Sequence, residues 1–303
     1  MTKNNLVAIV CHDTGGAEIL CNWVVRQNAP YILVLEGPAL KIFKRKLGAI
    51  EVVPLELAIA KAHWVLTGTS WQSDLELKAI KLARKLNKRS VTFLDHWVNF
   101  QQRFELEDER LLPNEIWVGD KDALKISSDE LPGANIKLKS NPYFEEALSQ
   151  IRKLDQEQSA QPTQKYILYT CSALSKHAKL KFNDERYWGF TDNDAIRYFL
   201  ENVDVLKHST GKVVLRPHPS EEPGNYDWAV EEYKPNVSIG GNASLVEEIS
   251  GADIIAGHNS MAMVIGLIAE KRVISALPPG KLENTLPMAE IEHMSDLLKA
   301  YQT

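Results

Sequence analysis

Three cysteines in 303 residues, Cys11, Cys21 and Cys171, are too few and too irregularly spaced for a disulfide framework or a CxxC zinc site. A reducing compartment is the expectation. Positive charge is also short. Lys and Arg total 35 against 40 Asp and Glu, a formal net charge of -5, and no basic run is dense enough to track a phosphate backbone. Nucleic acid is not an expected partner, and the basic stretch 41–46 reads as the wet face of a short helix. No apolar run approaches the ~20 residues that span a bilayer. The opening residues lack the charged, apolar and small-residue regions of a secretion signal, so the expectation is a cytoplasmic chain without a transmembrane segment. Fixed-period repeats are absent as well. So are a GxGxxG fingerprint and a DxD-like acidic pair at a strand end, and neither a dinucleotide cofactor nor a metal is expected.

What is present is an ordinary globular composition, 44% hydrophobic and 25% charged, on a chain long enough for two cores at ~100–200 residues per domain. Apolar runs bounded by turn residues lie at 6–11, 31–35, 63–67, 90–94 and 115–118, and most precede stretches of helical period. The spacing predicts a helix over 74–86, with Asp74 and Glu76 early and Lys85 and Lys88 near its end, as the helix dipole prefers. Strand–helix alternation implies parallel pairing, because crossover helices need it. The polar, Pro-punctuated stretch 155–164 has the composition of a linker. The chain is therefore read as an N-terminal domain over 1–150 and a C-terminal domain over 151–303. In the second, strands are predicted at 166–170, 213–216, 236–239, 253–256 and 272–276, with helices at 195–208, 245–250, 261–270 and 288–301. The fold class is α/β: two Rossmann-like domains with parallel sheets facing across a cleft.

The first strand runs into His12-Asp13-Thr14-Gly15-Gly16-Ala17. Glycines at a strand-to-helix turn let the backbone approach a ligand and aim free amides at it. The turn is an anion or substrate cradle, or a tight turn in which Asp13 or Thr14 caps the helix. His12 and Asp13 are acid/base candidates because open α/β sheets bind ligands at the carboxyl ends of their strands. Asp95-His96-Trp97, followed by Asn99 and Arg103, repeats that placement after another strand; the alternative is Asp95 as a cap and Trp97 as packing. Cys11 and Cys21 flank the first loop without an adjacent base and read as small core residues.

In the second half, Val213-Val-Leu delivers Arg216, His218, Ser220 and Glu221 to a strand end, with Pro217 and Pro219 restricting the loop. A guanidinium fork beside an imidazole suits a phosphate; the plainer reading is an Arg–Glu pair beside a Pro-rich turn. Gly257-His258-Asn259-Ser260 turns into a helix whose first amides can hold an anion or merely be capped by Asn259 or Ser260. Ser172, Ser175, Lys176 and His177 follow strand 166–170 and read as a polar loop, with a cleft lining as the alternative.

The pairing of Arg216-Pro217-His218-Pro219 with Gly257-His258-Asn259-Ser260, after a domain opened by a Gly-rich loop, resembles the GT-B glycosyltransferases. Among these it is most similar to cytidine-nucleotide users with a His-Pro and a Ser/Thr motif: bacterial sialyltransferases, polysialyltransferases and teichoic-acid glycerophosphotransferases. The resemblance covers the architecture of nearly the whole chain, while the motif match is confined to those two loops. It implies that His218 contacts the donor phosphate and assists the leaving group, that Ser260, with Asn259, binds the same phosphate, and that Asp13, with His12 as substitute, is the general base. It implies a CMP-, CDP- or UDP-linked donor, a glycan or small acceptor, a role in polysaccharide or glycoconjugate synthesis and no cofactor. Two departures stand out: a single hydroxyl in Asn259-Ser260-Met261, and Met263, Val264 and Ile265 where many GT-B proteins carry an acidic residue. The same scaffold also resembles nucleotide-sugar epimerases and hydrolases, for which Asp13, Asp95 or His96 would serve, and a non-catalytic binding protein is the third reading.

Overall fold

The computed structural model describes residues 5–158 and 164–301. Two compact units divide the chain, Met1–Glu146 and Ala147–Thr303. The first is built from β1 (Val7–Cys11), α1 (Thr14–Gln27), β2 (Tyr31–Leu35), α2 (Gly37–Leu47), α3 (Leu55–Lys61), β3 (Trp64–Thr67), α4 (Leu75–Lys85), β4 (Arg89–Phe93), a small hairpin of β5 (Glu105–Leu106) and β6 (Glu109–Arg110), β7 (Glu115–Val118), α5 (Lys121–Glu130) and β8 (Ile136–Leu138). The division falls within α6 (Pro142–Gln158). The second unit continues with β9 (Tyr166–Thr170), α7 (Leu174–Phe182), α8 (Asp192–Glu201), β10 (Val213–Arg216), α9 (Asp227–Glu232), β11 (Val237–Ile239), α10 (Leu245–Gly251), β12 (Ala252–Gly257), α11 (Met261–Ile268), β13 (Arg272–Ser275), β14 (Glu292–His293) and α12 (Met294–Tyr301).

Each unit holds one six-stranded sheet, ordered β2-β1-β3-β4-β7-β8 in the first and β11-β10-β9-β12-β13-β14 in the second, with every pair parallel. Strands covered on both faces carry continuous apolar runs, and all five residues of β1 are fully buried. Their alternation divides the core of the first unit. Val7, Ile9 and Cys11 pack with Leu20, Val24 and Phe43 on one face, while Ala8 and Val10 pack with Ala58, Ile59 and Ala79 on the other. In the second unit Ile167 and Tyr169 pack against Phe199, Leu200 and Tyr226. Strand order reverses at β1/β3 in the first sheet and at β9/β12 in the second, so the crevice at the carboxyl ends lies between those loops.

Four expectations are corrected. The helix predicted over 195–208 begins at Asp192, because Thr191 and Asp194 form a capping box. It ends at Glu201, before a 3₁₀ turn over Val203–Leu206 that closes at left-handed Lys207. The helix predicted over 288–301 is instead β14 followed by α12; Arg272 grips the Glu292 carboxylate with Nε at 2.7 Å and Nη2 at 2.8 Å, which seats the short edge strand beside β13. The polar loop expected around Ser175, Lys176 and His177 is the helix α7. In the stretch 155–164 read as a linker, residues 155–158 continue α6, and 159–163 lie outside the described residues. Trp97 is buried, in keeping with its packing role, and Trp117 packs edge-on against Phe93.

Phe199 is fully buried, with its ring centroid 4.8 Å from that of Tyr169. Phe199→Ala is expected to lower unfolding stability by ~3–5 kcal/mol, the usual range for emptying an aromatic core site. Urea titration of both proteins checks this, and a loss under ~1 kcal/mol would show that the site refills.

Candidate functional site

In the first unit the switch-point loops bring His12, Asp13, Ser70 and Trp71 together. The His12 Nδ1 lies 2.6 Å from Asp13 Oδ1. The same carboxylate accepts the Ser70 hydroxyl at 2.8 Å and the Trp71 amide at 3.1 Å. Asp13 occupies the N-cap position of α1, yet its side chain makes no capping bond. A carboxylate that only accepts holds the proton on Nδ1 and leaves the lone pair of the neutral imidazole on Nε2. The ring rests on Gly37, whose backbone is left-handed (φ +49) and where a Cβ would come within 2.5 Å of His12 Nε2.

Behind this pair lies Glu76, only 2% exposed, at the start of α4. Its Oε1 accepts the His12 amide at 2.7 Å, and its Oε2 is buried without a hydrogen-bond partner among the described residues. Burial pushes this carboxyl up to about 7. Asp95, at the end of β4, accepts the Thr69 hydroxyl at 3.0 Å and Arg103 Nη1 at 3.2 Å. Its other oxygen fills the space where a Cβ on Gly15 would sit, and a Cβ on Gly16 would come within 3.1 Å of the Gly68 backbone. The two glycines therefore admit the β3 and β4 loops to the start of α1. His96 follows a different course: its Nδ1 accepts the Trp97 amide at 3.0 Å, its ring meets Trp97 edge-on, and burial lowers its proton affinity.

The second unit gathers Ser172, Arg216, His218, Asn259 and Ser260 at the carboxyl edge of its sheet, on the loops after β9, β10 and β12. His218 Nδ1 accepts the Ser220 amide at 3.2 Å and sits 2.8 Å from the Ser220 hydroxyl. The neutral ring therefore carries its proton on Nε2. Burial first, then the charges of His177 and Lys176, lower its proton affinity against an opposing pull from Asp192. Glu221 accepts the His218 amide at 2.7 Å and the Tyr226 hydroxyl, which closes the Pro-rich loop on itself. Arg216 is tied inward: Nη1 donates to Glu248 at 2.5 Å and to the Ala243 carbonyl at 3.1 Å, and Glu248 also accepts the Gly241 amide.

Ser260 stands at the N-cap of α11 but does not cap it. Its hydroxyl instead meets Thr170 Oγ1 at 2.9 Å, which leaves the first turn of α11 without a side-chain cap. Asn259 accepts the Thr285 amide at 2.8 Å and donates to the Glu283 carbonyl at 3.1 Å, tying the turn to the loop after β13. His258, 1% exposed, meets the Tyr169 hydroxyl at 2.9 Å, and burial pushes its pKa down to about 4, so it is neutral. The Ser172 Oγ is buried without a hydrogen-bond partner among the described residues.

Ser70, Glu76, Thr170 and Glu248 escaped the reading of the sequence. Ser70 and Thr170 stand at strand ends, where the rule that nominated Asp95 would also have found them. Glu76 and Glu248 carried no such signal: a Glu in a first turn reads as a complement to the helix dipole, and only packing shows it to be buried.

No family model matches the chain, and no curated protein matches its sequence. Solved structures do. A UDP-GlcNAc 2-epimerase from Methanocaldococcus jannaschii aligns at 10% identity and a TM-score of 0.64, over 98% of this chain and 92% of that one. One from Neisseria meningitidis, bound to UDP-GlcNAc, aligns at 12% and 0.59, over 98% and 90%. A glycosyltransferase from Rickettsia africae aligns at 14% and 0.52, over 90% and 79%. The likeness is one of fold, two Rossmann-like domains with parallel sheets.

The raised Glu76 carboxyl makes stability pH-dependent. The folded state keeps this proton up to about pH 7, whereas an unfolded chain releases it near ~4.3. Between those values the folded state binds more protons, so this contribution to stability is complete below the lower value and is lost as pH rises to the upper one. Glu76→Gln is expected to remove that decline and to be the more stable protein at pH 8 by a few kcal/mol, at ~1.4 kcal/mol per unit. Urea midpoints at pH 5 and pH 8 measure it; equal pH slopes in the two proteins would refute the assignment.

Proposed function

We propose that the chain is a nucleotide-sugar enzyme, with inverting transfer of the sugar to an acceptor hydroxyl as its reaction. The observation that carries this reading is that each unit, taken by itself, holds an imidazole at the carboxyl edge of its own sheet, the two in opposite tautomers. His12, with its Nδ1 proton on Asp13, offers Nε2 as a base, and His218, with Nδ1 accepting from Ser220, offers an Nε2 proton. In the proposed reaction His12 takes the acceptor hydroxyl proton and Asp13 orients and stabilises the imidazolium. The acceptor oxygen forms the new glycosidic bond as the bond from the anomeric carbon to the nucleotide phosphate breaks. Negative charge on the departing phosphate is met by the uncapped amides of α11, the Ser260 hydroxyl and His218 Nε2–H.

This scheme moves one proton and one glycosyl group, and it uses no hydride carrier. The donor is proposed as CMP-, CDP- or UDP-linked and the acceptor as a glycan or small molecule, with surface polysaccharide or glycoconjugate synthesis as the setting. Arg216 acts by bracing the β10 loop against Glu248. A second reading, hydrolysis or 2-epimerisation of the nucleotide sugar, is supported by the solved neighbours that bear the epimerase name.

A panel of nucleotide sugars, each incubated with and without acceptors in deuterated buffer, separates the readings. Acceptor-dependent nucleotide release is the expected result. Acceptor-independent release, or deuterium entering the recovered sugar, would replace transfer by hydrolysis or epimerisation. His218→Ala is expected to cut turnover at least ~10-fold, about 1.4 kcal/mol, and an unchanged rate would remove that loop from the chemistry.

A further inference from the structure

Between β9 and α8 the second unit makes an excursion that the sheet does not require. The crossover helix on the sheet is α8, which buries Ala195, Ile196, Phe199 and Leu200, whereas α7 buries only Ala178. The neck of the excursion is closed by Asp192, whose carboxylate accepts the Leu174 and Ser175 amides at 2.8 Å each, while the Asp192 amide donates back to Ser175 Oγ at 3.0 Å. The first amides of α7 are thus already satisfied by a carboxylate.

Its first-turn side chains have another use. Lys176 Nζ donates to the Ser220 carbonyl at 2.6 Å, which joins α7 to the Pro-rich loop. The exposed His177 ring stands across His218, with centroids 6.1 Å apart and planes at 80°. His177, His218 and Lys176 therefore share one side of the carboxyl edge. The acidic groups facing them, Asp192 from α8 and Glu221 from the same loop, are both engaged, the first by the neck amides and the second by the His218 amide and the Tyr226 hydroxyl.

The loop after β10 and the α11 start after β12 lie on either side of β9. At ~4.8 Å per strand their backbones are roughly 10 Å apart. Two anion-compatible groups at that separation, each reaching inward by a side chain or an amide, match two linked phosphates better than one. We propose that His177, together with His218 and Lys176, forms a second phosphate subsite beside the α11 start, so that this chain selects nucleoside diphosphates over monophosphates. This inference rests on the reading of the α11 start as the first phosphate site.

Titration calorimetry with UMP, UDP, CMP and CDP, on the full chain and on His177→Gln and Lys176→Met, tests the inference. The wild-type protein is expected to bind one diphosphate at least ~10-fold more tightly than its monophosphate. His177→Gln should bring that ratio below ~3 without changing monophosphate affinity, and Lys176→Met should lower it in the same direction. A wild-type protein that binds both equally, or a ratio that survives His177→Gln, overturns the second subsite and leaves the nucleotide reading standing. No binding of any of the four by the wild-type chain overturns the nucleotide reading itself, and the inference with it.

Discussion

Parallel strands finish on the same side of a sheet, so the loops after β9, β10 and β12 open on one edge whatever their own sequences prefer. Burial enforces that arrangement. The residues of β1 and most of those of β9 and β12 are buried, and their backbone groups find partners in neighbouring strands and the residues that flank them. The polar residues that follow each strand then crowd together at an edge that the apolar runs have positioned. His12 with Ser70, and Ser260 with Thr170, are neighbours for that reason.

Hydrogen bonds at these edges decide chemistry that residue type leaves open. Histidine is base or acid according to which nitrogen its neighbour occupies. Asp13 settles the question for His12 and the Ser220 amide settles it for His218, with opposite results. Helix termini divide in the same way. The starts of α8 and α10 are closed by capping boxes and that of α7 by Asp192, whereas α11, which follows a switch-point strand, has no side-chain cap. A terminus already satisfied by a carboxylate has little left to offer a phosphate, whereas a start without a side-chain cap, such as that of α11, keeps amides free for an anion.

Buried strands with both faces covered were legible as continuous apolar runs, and β2, β7, β9 and β10 fall where those runs lie. Two edge strands were not legible: β8 is largely exposed and β14 is only two residues long, so neither leaves a period in the sequence. The start of α7 escaped notice because its cap comes from Asp192, far along the chain. Among the site residues, those at strand ends were visible because the strands were.

Alternation of apolar runs with helical stretches was enough, taken alone, to determine an α/β class, two parallel sheets and the nomination of His12, Asp13, Asp95, His218 and Ser260, because hydrophobic period and strand-end position are local properties. Strand order was decided only by the tertiary structure, and with it which loops flank each switch point. The same is true of the burial of Glu76, the commitment of Arg216 to Glu248 and the tautomers of the two histidines. Those depend on contacts between residues distant in the chain, and a desolvated carboxyl or a fixed ring proton exists only once such partners have been packed together.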